Sequence, residues 1–288
     1  KTFCRHAGFT EGIDLFDCRF FNISTAEARD MEPRQRMALE VSYETLQRAG
    51  FRKSHLSSST GGIYVGAENW SEWNPSREPS GSFTATGRAS SILAGRISYV
   101  LGLKGPAVAL DTGDCSGLTA VYFGAKALQE DGFATIPEFC CCLGTSILLS
   151  GQRWPARQAA GLLTSSGRCF TFDCSATGLI PGEATAALMM RREVKEGPQA
   201  GQLEGFSMQH IGPSASLTAA SASAEQELLA EALHRAGIGP NSLDLAECCG
   251  RGTCLDDAAE VLALRKVYRA DHRPCQARDM EPRQRMAL

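Results

Sequence analysis

The chain has 288 residues, of which 43% are hydrophobic, so it is long enough to bury the core of one large domain or two. Its net charge is −3 and both signs of charge are mixed, which argues against a nucleic acid or an anionic membrane as partner. The longest apolar run, Phe139–Leu149, is too short to span a bilayer. The chain starts at Lys1 with no methionine and no secretory signal, so we expect a fragment of a cytoplasmic protein.

The sequence contains twelve cysteines, a high number for its length. None forms a Cys-x-x-Cys pair, and the run Cys140–Cys142 is too tight to chelate one metal ion. Disulfide-rich secreted scaffolds are short, whereas this chain is long and has an α/β pattern. The cysteines are therefore predicted to be reduced thiols used as small apolar residues, with no metal site and no cofactor.

The first predicted elements are a helix and a strand. Asp30 is a plausible N-cap, Pro33 falls in the first turn and Gly50 ends the helix, whose apolar stripe is Leu39, Tyr43 and Leu46. The apolar segment Gly62–Gly66 is flanked by glycines and predicts a short strand. Residues 69–82 are rich in Asn, Ser, Pro and Gly, which is typical of a loop.

A strand followed by a sharp corner and a helix comes next. The pattern predicts a helix running up to Leu101, a strand at Ala107–Leu110 and a second helix from about Ser116 to Leu128. Strand, corner and helix start together build a nucleophile elbow, where the corner exposes one side chain and the helix N-terminus favours a thiolate. Cys115 lies beside this corner.

Strands and helices continue to alternate through the second part of the chain. Strands are predicted at Phe139–Gly144, Ala184–Met190 and Leu243–Cys248, and a helix at Ala224–Ala236. The segment Gln152–Ala160 fits no predicted element. This alternation argues for an α/β fold with a mainly parallel sheet.

Several ordered motifs resemble the ketosynthase domain of type I polyketide and fatty acid synthases. They are Arg96–Tyr99, Gly102–Ala107 and the pair Asp111-Thr112, with further matches at residues 16–24, 31–36, 167–169, 172–173 and 182–183. The resemblance implies a thiolase-like fold of two similar βα halves in layers, which we expect to be incomplete here. The expected parts are an N-terminal half at 1–165 lacking its first strand, a partial C-terminal half at 166–268, and a tail at 269–288. Residues 277–288 of the tail repeat 28–39 letter for letter.

The resemblance places the nucleophile at the corner but not on a cysteine. Family members continue Asp-Thr-Ala-Cys, and the cysteine carries the acyl chain as a thioester. Here Asp114 holds that position and Cys115 follows it by one residue. One step along a helix start rotates a side chain by about 100°, so we expect the thiol to face the protein unless Gly113 or Gly117 lets the corner re-form.

The histidine motifs of the family are also altered. Cys249 stands where the family has its first catalytic histidine, in the motif His-Gly-Thr-Gly-Thr. Thr253, Asp257 and Glu260 match the supporting positions that follow. The second motif, Lys-Ser-Asn-Ile-Gly-His, does not occur, and the five histidines at positions 6, 55, 210, 234 and 272 lie outside both motifs.

The resemblance implies decarboxylative condensation of an acyl-cysteine thioester with malonyl-acyl carrier protein, the 3-oxoacyl-acyl carrier protein synthase reaction. The implied partners are an acyl carrier protein, with acyl or malonyl groups on phosphopantetheine, and a second copy of the chain paired through Ala107–Leu110. Because the catalytic positions are altered, we expect the condensing activity to be impaired. Two alternatives remain open: an active acyl-transfer enzyme using Cys115, and a non-catalytic module for dimerisation or carrier docking.

Overall fold

The computed structural model describes residues 3–68, 73, 81–129, 136–193, 199–269 and 286–287. Most of the predicted loop at 69–82 and nearly all of the tail at 269–288 lie outside these residues. The chain divides into two compact units. The sheet unit comprises residues 9–150, 182–203 and 284–288, and the hairpin unit comprises residues 1–8, 151–181 and 204–283.

The described elements of the sheet unit are six helices and six strands. The helices are α1 (Thr25–Asp30), α2 (Pro33–Arg48), α3 (Lys53–Leu56), α4 (Thr84–Arg88), α5 (Ile92–Leu101) and α6 (Ser116–Ala127). The strands are β1 (Gly62–Ala67), β2 (Ala107–Leu110), β3 (Cys140–Ser146), β4 (Ala184–Met190), β5 (Gln202–Leu203) and β6 (Met286–Ala287). The hairpin unit contains α7 (Arg153–Ala159), α8 (Ala222–Ala236), a 3₁₀ turn (Pro240–Ser242) and α9 (Cys254–Arg269).

Four strands form a mixed, mostly parallel sheet in the order β2-β1-β3-β4. Strand β1 is parallel to both β2 and β3, and Ile63 is in register with Ala107 on one side and Cys141 on the other. Strand β4 is antiparallel to β3. The short strands β5 and β6 pair separately. This sheet with helices confirms the predicted α/β class.

Helices cover the two faces of the sheet. On one face, α2 and α5 pack against β1 and β3 in one hydrophobic core. The helices contribute Leu39, Leu46 and Ile97, the strands contribute Ile63, Val65, Cys141 and Leu143, and Met31 before α2 is buried with them. On the other face α6 packs so closely that a Cβ added at Gly124 would lie 2.3 Å from Cys142 Sγ. This layering buries β1 and β3 from both sides. Strands buried on both faces have near-continuous apolar sequences, as these two strands do.

The start of the first long helix differs from the prediction. Asp30 does not cap it but ends the short helix α1, whose own cap is Ser24, the Oγ of which accepts the N–H of Glu27 at 3.1 Å. The spacing Ser24-x-x-Glu27 is a helix-start signal, and it places the boundary earlier. Helix α2 then starts at Pro33 with Glu32 as N-cap.

The helix predicted to run up to Leu101 is α5, and the residues before it form the separate short helix α4. Gly87 lies against the chain at Asp30, where an added Cβ would be 2.1 Å from the carbonyl oxygen. The carbonyl of Gly87 accepts the N–H of Glu32 at 2.9 Å, instead of a helical donor. This tertiary contact therefore ends α4 before α5 begins.

One prediction for the hairpin unit is wrong, and a helix in it was not predicted. Residues 243–248 form no strand in the described structure, and Leu245 is 84% exposed. A strand requires a neighbour for its N–H and C=O groups, and the described residues of this unit offer none there. Residues 152–160, for which no element was predicted, contain helix α7.

The cysteines in the described part of the chain form no disulfide. Three of them, Cys140, Cys141 and Cys142, lie buried in β3, and burial raises the pKa of Cys140 and of Cys141 to about 12 each. Among the described residues, no group of three or more His, Cys, Asp or Glu is arranged to hold a metal ion. None of the described helices combines the length and apolar character required to cross a bilayer.

Candidate active site

The corner after β2 is built on a glycine in the left-handed conformation. Gly113 has φ of 63°, which glycine adopts without the steric cost other residues meet. Asp111 fixes this geometry, because its Oδ1 accepts the N–H of Gly113 at 3.0 Å. The chain thereby reverses between the end of β2 and the start of α6.

Hydroxyl groups hold the two sides of the corner together. The Oγ of Ser116 accepts the N–H of Thr112 at 2.9 Å and donates to the carbonyl of Gly113 at 2.6 Å. The hydroxyls of Thr112 and Thr119 lie 2.8 Å apart in a further hydrogen bond. Since Ser116 is only 4% exposed, these bonds are shielded from water and set the direction in which α6 leaves the corner.

The start of α6 also rests directly on the sheet. A Cβ added at Gly66 of β1 would lie 2.0 Å from the carbonyl oxygen of Ser116. A Cβ added at Gly144 of β3 would lie 3.2 Å from the Cα of Gly117. Glycines on the two central strands therefore make room for the helix start, and the elbow is seated on the middle of the sheet.

Asp114 and Cys115 are both exposed at the corner. Cys115 is the N-cap of α6, with φ −88° and ψ 0°, and the buried position next to it is taken by Ser116. The expectation that the thiol faces the protein is therefore wrong. The left-handed turn at Gly113 comes directly before this exposed pair.

A cavity of 340 Å³ adjoins the corner within the sheet unit. It shares Asp111 with the corner, and its other lining residues are Ala67, Ser90, Ser91, Leu93, Ala109 and Leu110. The lining is half polar in character, because two serines and a carboxylate face aliphatic side chains.

The second candidate group lies in the hairpin unit, on the loop from Cys249 to Thr253. Gly250 and Gly252 have φ of 51° and 74°, so this loop also depends on left-handed glycines. The carboxylate of Glu260 accepts the N–H of Cys249 at 2.6 Å and that of Gly250 at 2.8 Å. Glu260 thus ties the loop to helix α9, and the Cys249 side chain is exposed.

Asp257 fixes the other end of the same loop. It is 5% exposed, and its two oxygens accept the N–H of Gly252 at 2.9 Å and the N–H of Phe172 at 2.8 Å. Phe172 has φ of 59°, so the same carboxylate holds a strained residue of a neighbouring segment. A buried carboxylate serving two backbone donors is a structural clamp.

Thr253 and an acidic neighbour complete the clamp. The hydroxyl of Thr253 donates to Asp256 Oδ2 at 2.6 Å, and its carbonyl accepts the N–H of Asp257 at 2.9 Å. Asp256 also lies 3.6 Å from the guanidinium of Arg251. Sequence reasoning missed both helix α9 and Asp256, although the acidic pair Asp256-Asp257 is a recognisable signal of a helix start.

The structure therefore brings Cys249, Thr253, Asp257 and Glu260 together in one unit, and Asp114 and Cys115 in the other. None of the histidines in the described ranges, at positions 6, 55, 210 and 234, belongs to the corner or to the loop. His210 Nδ1 accepts the N–H of Gly212 at 2.9 Å, a local turn contact.

Two family profiles match the chain. The beta-ketoacyl synthase N-terminal domain matches residues 1–196, and the beta-ketoacyl synthase C-terminal domain matches residues 200–278. Similar sequences include a phenolphthiocerol/phthiocerol polyketide synthase of Mycobacterium tuberculosis, 35% identical over 91% of this chain and 17% of the relative. Erythronolide synthase EryA3 of Saccharopolyspora erythraea is 35% identical over 94% of this chain and 9% of its own length.

Solved structures agree with these matches. The ketosynthase from module 6 of the bacillaene synthase of Bacillus subtilis 168 superposes with a TM-score of 0.83 at 29% identity, covering 93% of this chain and 46% of that chain. The oxazolomycin ketosynthase domain of Streptomyces albus JA3453 gives 0.82 at 25% identity, covering 92% and 46%. The chain thus spans less than half of these ketosynthase structures and a small part of the curated relatives.

These matches confirm the predicted thiolase-like α/β fold. Because the two profiles follow one another along nearly all of the sequence, and because the relatives they agree with are polyketide synthases, the chain belongs to the beta-ketoacyl synthase family, as a ketosynthase domain of the polyketide synthase type.

Proposed function

We propose that this ketosynthase domain does not complete the condensing reaction by itself. The observation that carries the proposal is the loop at Cys249. Its backbone is held at both ends by Glu260 and Asp257, so the loop is well formed, yet it presents a thiol where the resemblance places an imidazole. The carboxylates that hold the loop are therefore present, while the imidazole that the chemistry needs is replaced by the Cys249 thiol.

Condensation makes demands that a thiol does not meet. Decarboxylation of a malonyl thioester develops enolate charge on its carbonyl oxygen, which requires a strong hydrogen-bond donor in the transition state. A thiol is a weak donor, whereas an imidazole donates well and can exchange a proton near neutral pH. Positioned acid–base groups contribute about 10²–10⁴-fold in rate each, so replacing one with Cys249 leaves little activity.

The proposed remaining role is assembly within a cytoplasmic polyketide synthase. The partners we propose are a second copy of the chain, paired through β2, and an acyl carrier protein with its phosphopantetheine-borne acyl or malonyl group. The exposed edge of the sheet at β2 supports the first partner, since β2 is the terminal strand in the order β2-β1-β3-β4. The names of the polyketide synthase relatives support the second.

The test supplies the purified chain with an acyl-carrier protein thioester and a malonyl-carrier protein thioester labelled with ¹³C. Mass spectrometry then follows the carrier for the 3-oxoacyl product and the chain itself for bound acyl groups. We expect no product above the rate of a Cys249→Ala control. Product formation that depends on Cys249 or on Cys115 would overturn the proposal.

A second candidate function, acyl transfer onto Cys115, is favoured by one observation. Cys115 is exposed at the N-cap of α6, and the 340 Å³ cavity opens beside the same corner through Asp111. In the same assay this function gives a thioester on Cys115 without a condensed product. The thioester should then disappear in Cys115→Ser and persist in Cys174→Ser, which removes another exposed thiol.

A further inference from the structure

Cysteines are concentrated around the loop at residues 248–254 of the hairpin unit. The loop and the first turn of α9 carry Cys248, Cys249 and Cys254, and the segment that crosses it carries Cys169 and Cys174. Four of these side chains are exposed, and Cys248 is half-buried. Neither the resemblance nor the proposed function uses this group of thiols as a unit.

The thiol of Cys169 lies directly on the loop. Its Sγ is 3.5 Å from the carbonyl oxygen of Arg251 and 3.9 Å from that of Gly250. A Cβ added at Gly252 would be 2.5 Å from the same sulfur. The hydroxyl of Thr171 donates to the carbonyl of Gly250 at 2.7 Å and holds the two segments side by side. Cys169 is therefore held in van der Waals contact with the backbone that follows Cys249.

Among the neighbouring thiols, Cys249 adjoins the loop backbone that Cys169 contacts. A disulfide needs the two Cα atoms about 4.4–6.8 Å apart, with the side chains turned towards each other. Cys249 directly precedes Gly250, whose carbonyl oxygen lies near both Cys169 Sγ and the hydroxyl of Thr171. Cys254 is the first residue of α9, and moving it would unwind the helix start that the acidic clamp fixes.

We propose that Cys169 and Cys249 form a reversible disulfide in the presence of a low-molecular-weight disulfide of the glutathione class. The Cys169 thiolate attacks one sulfur of the small disulfide, forming a mixed disulfide and releasing one small thiol. The Cys249 thiolate then attacks the Cys169 sulfur, forming the protein disulfide and releasing the second small thiol. Two protein thiols are oxidised, one small disulfide is reduced, and the two protons end on the released thiols.

Because Cys169 and Cys249 lie in the same unit, attack of Cys249 on the mixed disulfide is favoured over its reduction by the free small thiol. Groups held near each other act at an effective concentration on the order of millimolar or more. The protein disulfide should therefore accumulate over the mixed disulfide when the free small thiol is below that concentration. The inference concerns a modification site and stands whether or not the chain condenses acyl groups.

The experiment uses the full chain in mixtures of reduced and oxidised glutathione, followed by rapid alkylation, trypsin digestion and mass spectrometry. Trypsin separates the candidates, because residues 169–191, 236–251 and 252–265 form three peptides that carry Cys169, Cys249 and Cys254 respectively. We expect a cross-link between peptides 169–191 and 236–251 that reducing agent removes. Protection of both peptides from alkylation should rise together with it.

Matched variants resolve the two cysteines that share each peptide. The cross-link should fall about tenfold or more in Cys169→Ser and in Cys249→Ser, since an exchange step is then lost. It should remain in Cys174→Ser and in Cys248→Ser. Three results would each overturn the proposal: a cross-link from peptide 169–191 to peptide 252–265, a cross-link to peptide 236–251 that persists in Cys249→Ser, or the formation of mixed glutathione disulfides alone. Circular dichroism checks that every variant is folded, and Cys169 is exposed, so its loss leaves no cavity.

Discussion

At the residue scale, the sheet unit contains a buried ion pair, Glu32 and Arg34, whose two charges are removed from water. The side chains are 1% and 3% exposed, and their charged atoms approach to 2.5 Å. Arg34 also donates to the carbonyl of Glu68 at 2.5 Å. Within the described residues, Glu32 Oε2 and Arg34 Nη2 have no hydrogen-bond partner. Such a pair is retained because separating its members is costly, although the pair itself adds little stability.

The first prediction concerns this pair. Replacing Glu32 with Gln leaves the Arg34 guanidinium buried without its counter-charge, which should lower the free energy of unfolding by about 3–5 kcal/mol. Glu44→Gln is the control, because Glu44 pairs with Arg48 on the surface with 54% and 78% of the side chains exposed. Removing that exposed pair should cost less than about 1 kcal/mol. Denaturant unfolding of both variants measures the difference, and equal midpoints would contradict the importance of the buried pair.

The residue scale is also where sequence reasoning about the site reached its limit. The pattern located Asp114 and Cys115 at a corner between strand and helix, and the structure places them there. The exposure of Cys115 was predicted wrongly, because the shape of the corner depends on a left-handed turn at Gly113 and on hydrogen bonds of Ser116 that the pattern does not specify. Contacts between residues far apart along the chain, such as Thr171 with Gly250, leave no periodic signal.

At the element scale, the seating of α6 on β1 determines the position of the corner. Gly66→Ala would place a methyl group 2.0 Å from the carbonyl oxygen of Ser116, a backbone atom that cannot rotate away. We expect a loss of about 1–3 kcal/mol or more in the free energy of unfolding, since the helix start must move. The same substitution at Gly95, which has open space around it within α5, should instead stabilise the chain by roughly 0.5–1 kcal/mol.

Thermal or chemical unfolding distinguishes these two glycines. A loss at Gly66 together with a gain at Gly95 is the expected pattern. Equal effects at the two positions would show that the helix start is not seated on the sheet as described.

The edge strand β2 carries the prediction about self-association. Val108 lies in the middle of this strand, whose outer side has no neighbour in the described sheet. Unpaired strand edges pair readily with another copy, and a lysine in the ladder opposes this through its charge and hydration. Val108→Lys should therefore shift the chain from dimer to monomer in sedimentation equilibrium.

A matched control separates this effect from a general change in surface charge. Leu217→Lys introduces the same charge at a side chain that is 94% exposed in the hairpin unit. It should leave the mass unchanged. An identical mass for the wild type and Val108→Lys would remove the proposed dimer strand.

Elements differ in how well their sequence specifies them. Strands β1, β2, β3 and β4 were predicted because each is a short, largely apolar run, which is typical of a strand. The predicted strand at Leu243–Cys248 was wrong, because an apolar pattern shows that a segment can pair but not that a neighbouring strand is present. The short helix α4 was not predicted, and its end depends on a contact between Gly87 and Asp30 that the local sequence does not show.

On the scale of the whole molecule, the chain keeps the family's framework, and our proposal is that it lacks the family's condensing chemistry. The sheet, the seated helix and the clamped loop are all present, and the profiles match nearly the whole chain. Where the resemblance puts the family's cysteine and first histidine, this chain has Asp114 and Cys249, and we propose that neither supports condensation. Because a fold by itself does not determine a function, this proposal rests on the residues of the site.

The most direct measurement restores the missing groups. The double variant Asp114→Cys and Cys249→His places a cysteine and a histidine at the two family positions, in a corner and a loop whose backbone supports are already formed. Supplied with acyl- and ¹³C-malonyl-carrier protein, it should still form no 3-oxoacyl product, because the second histidine motif of the family does not occur in the sequence. Labelled product from the double variant, or from the unaltered chain, would contradict the account.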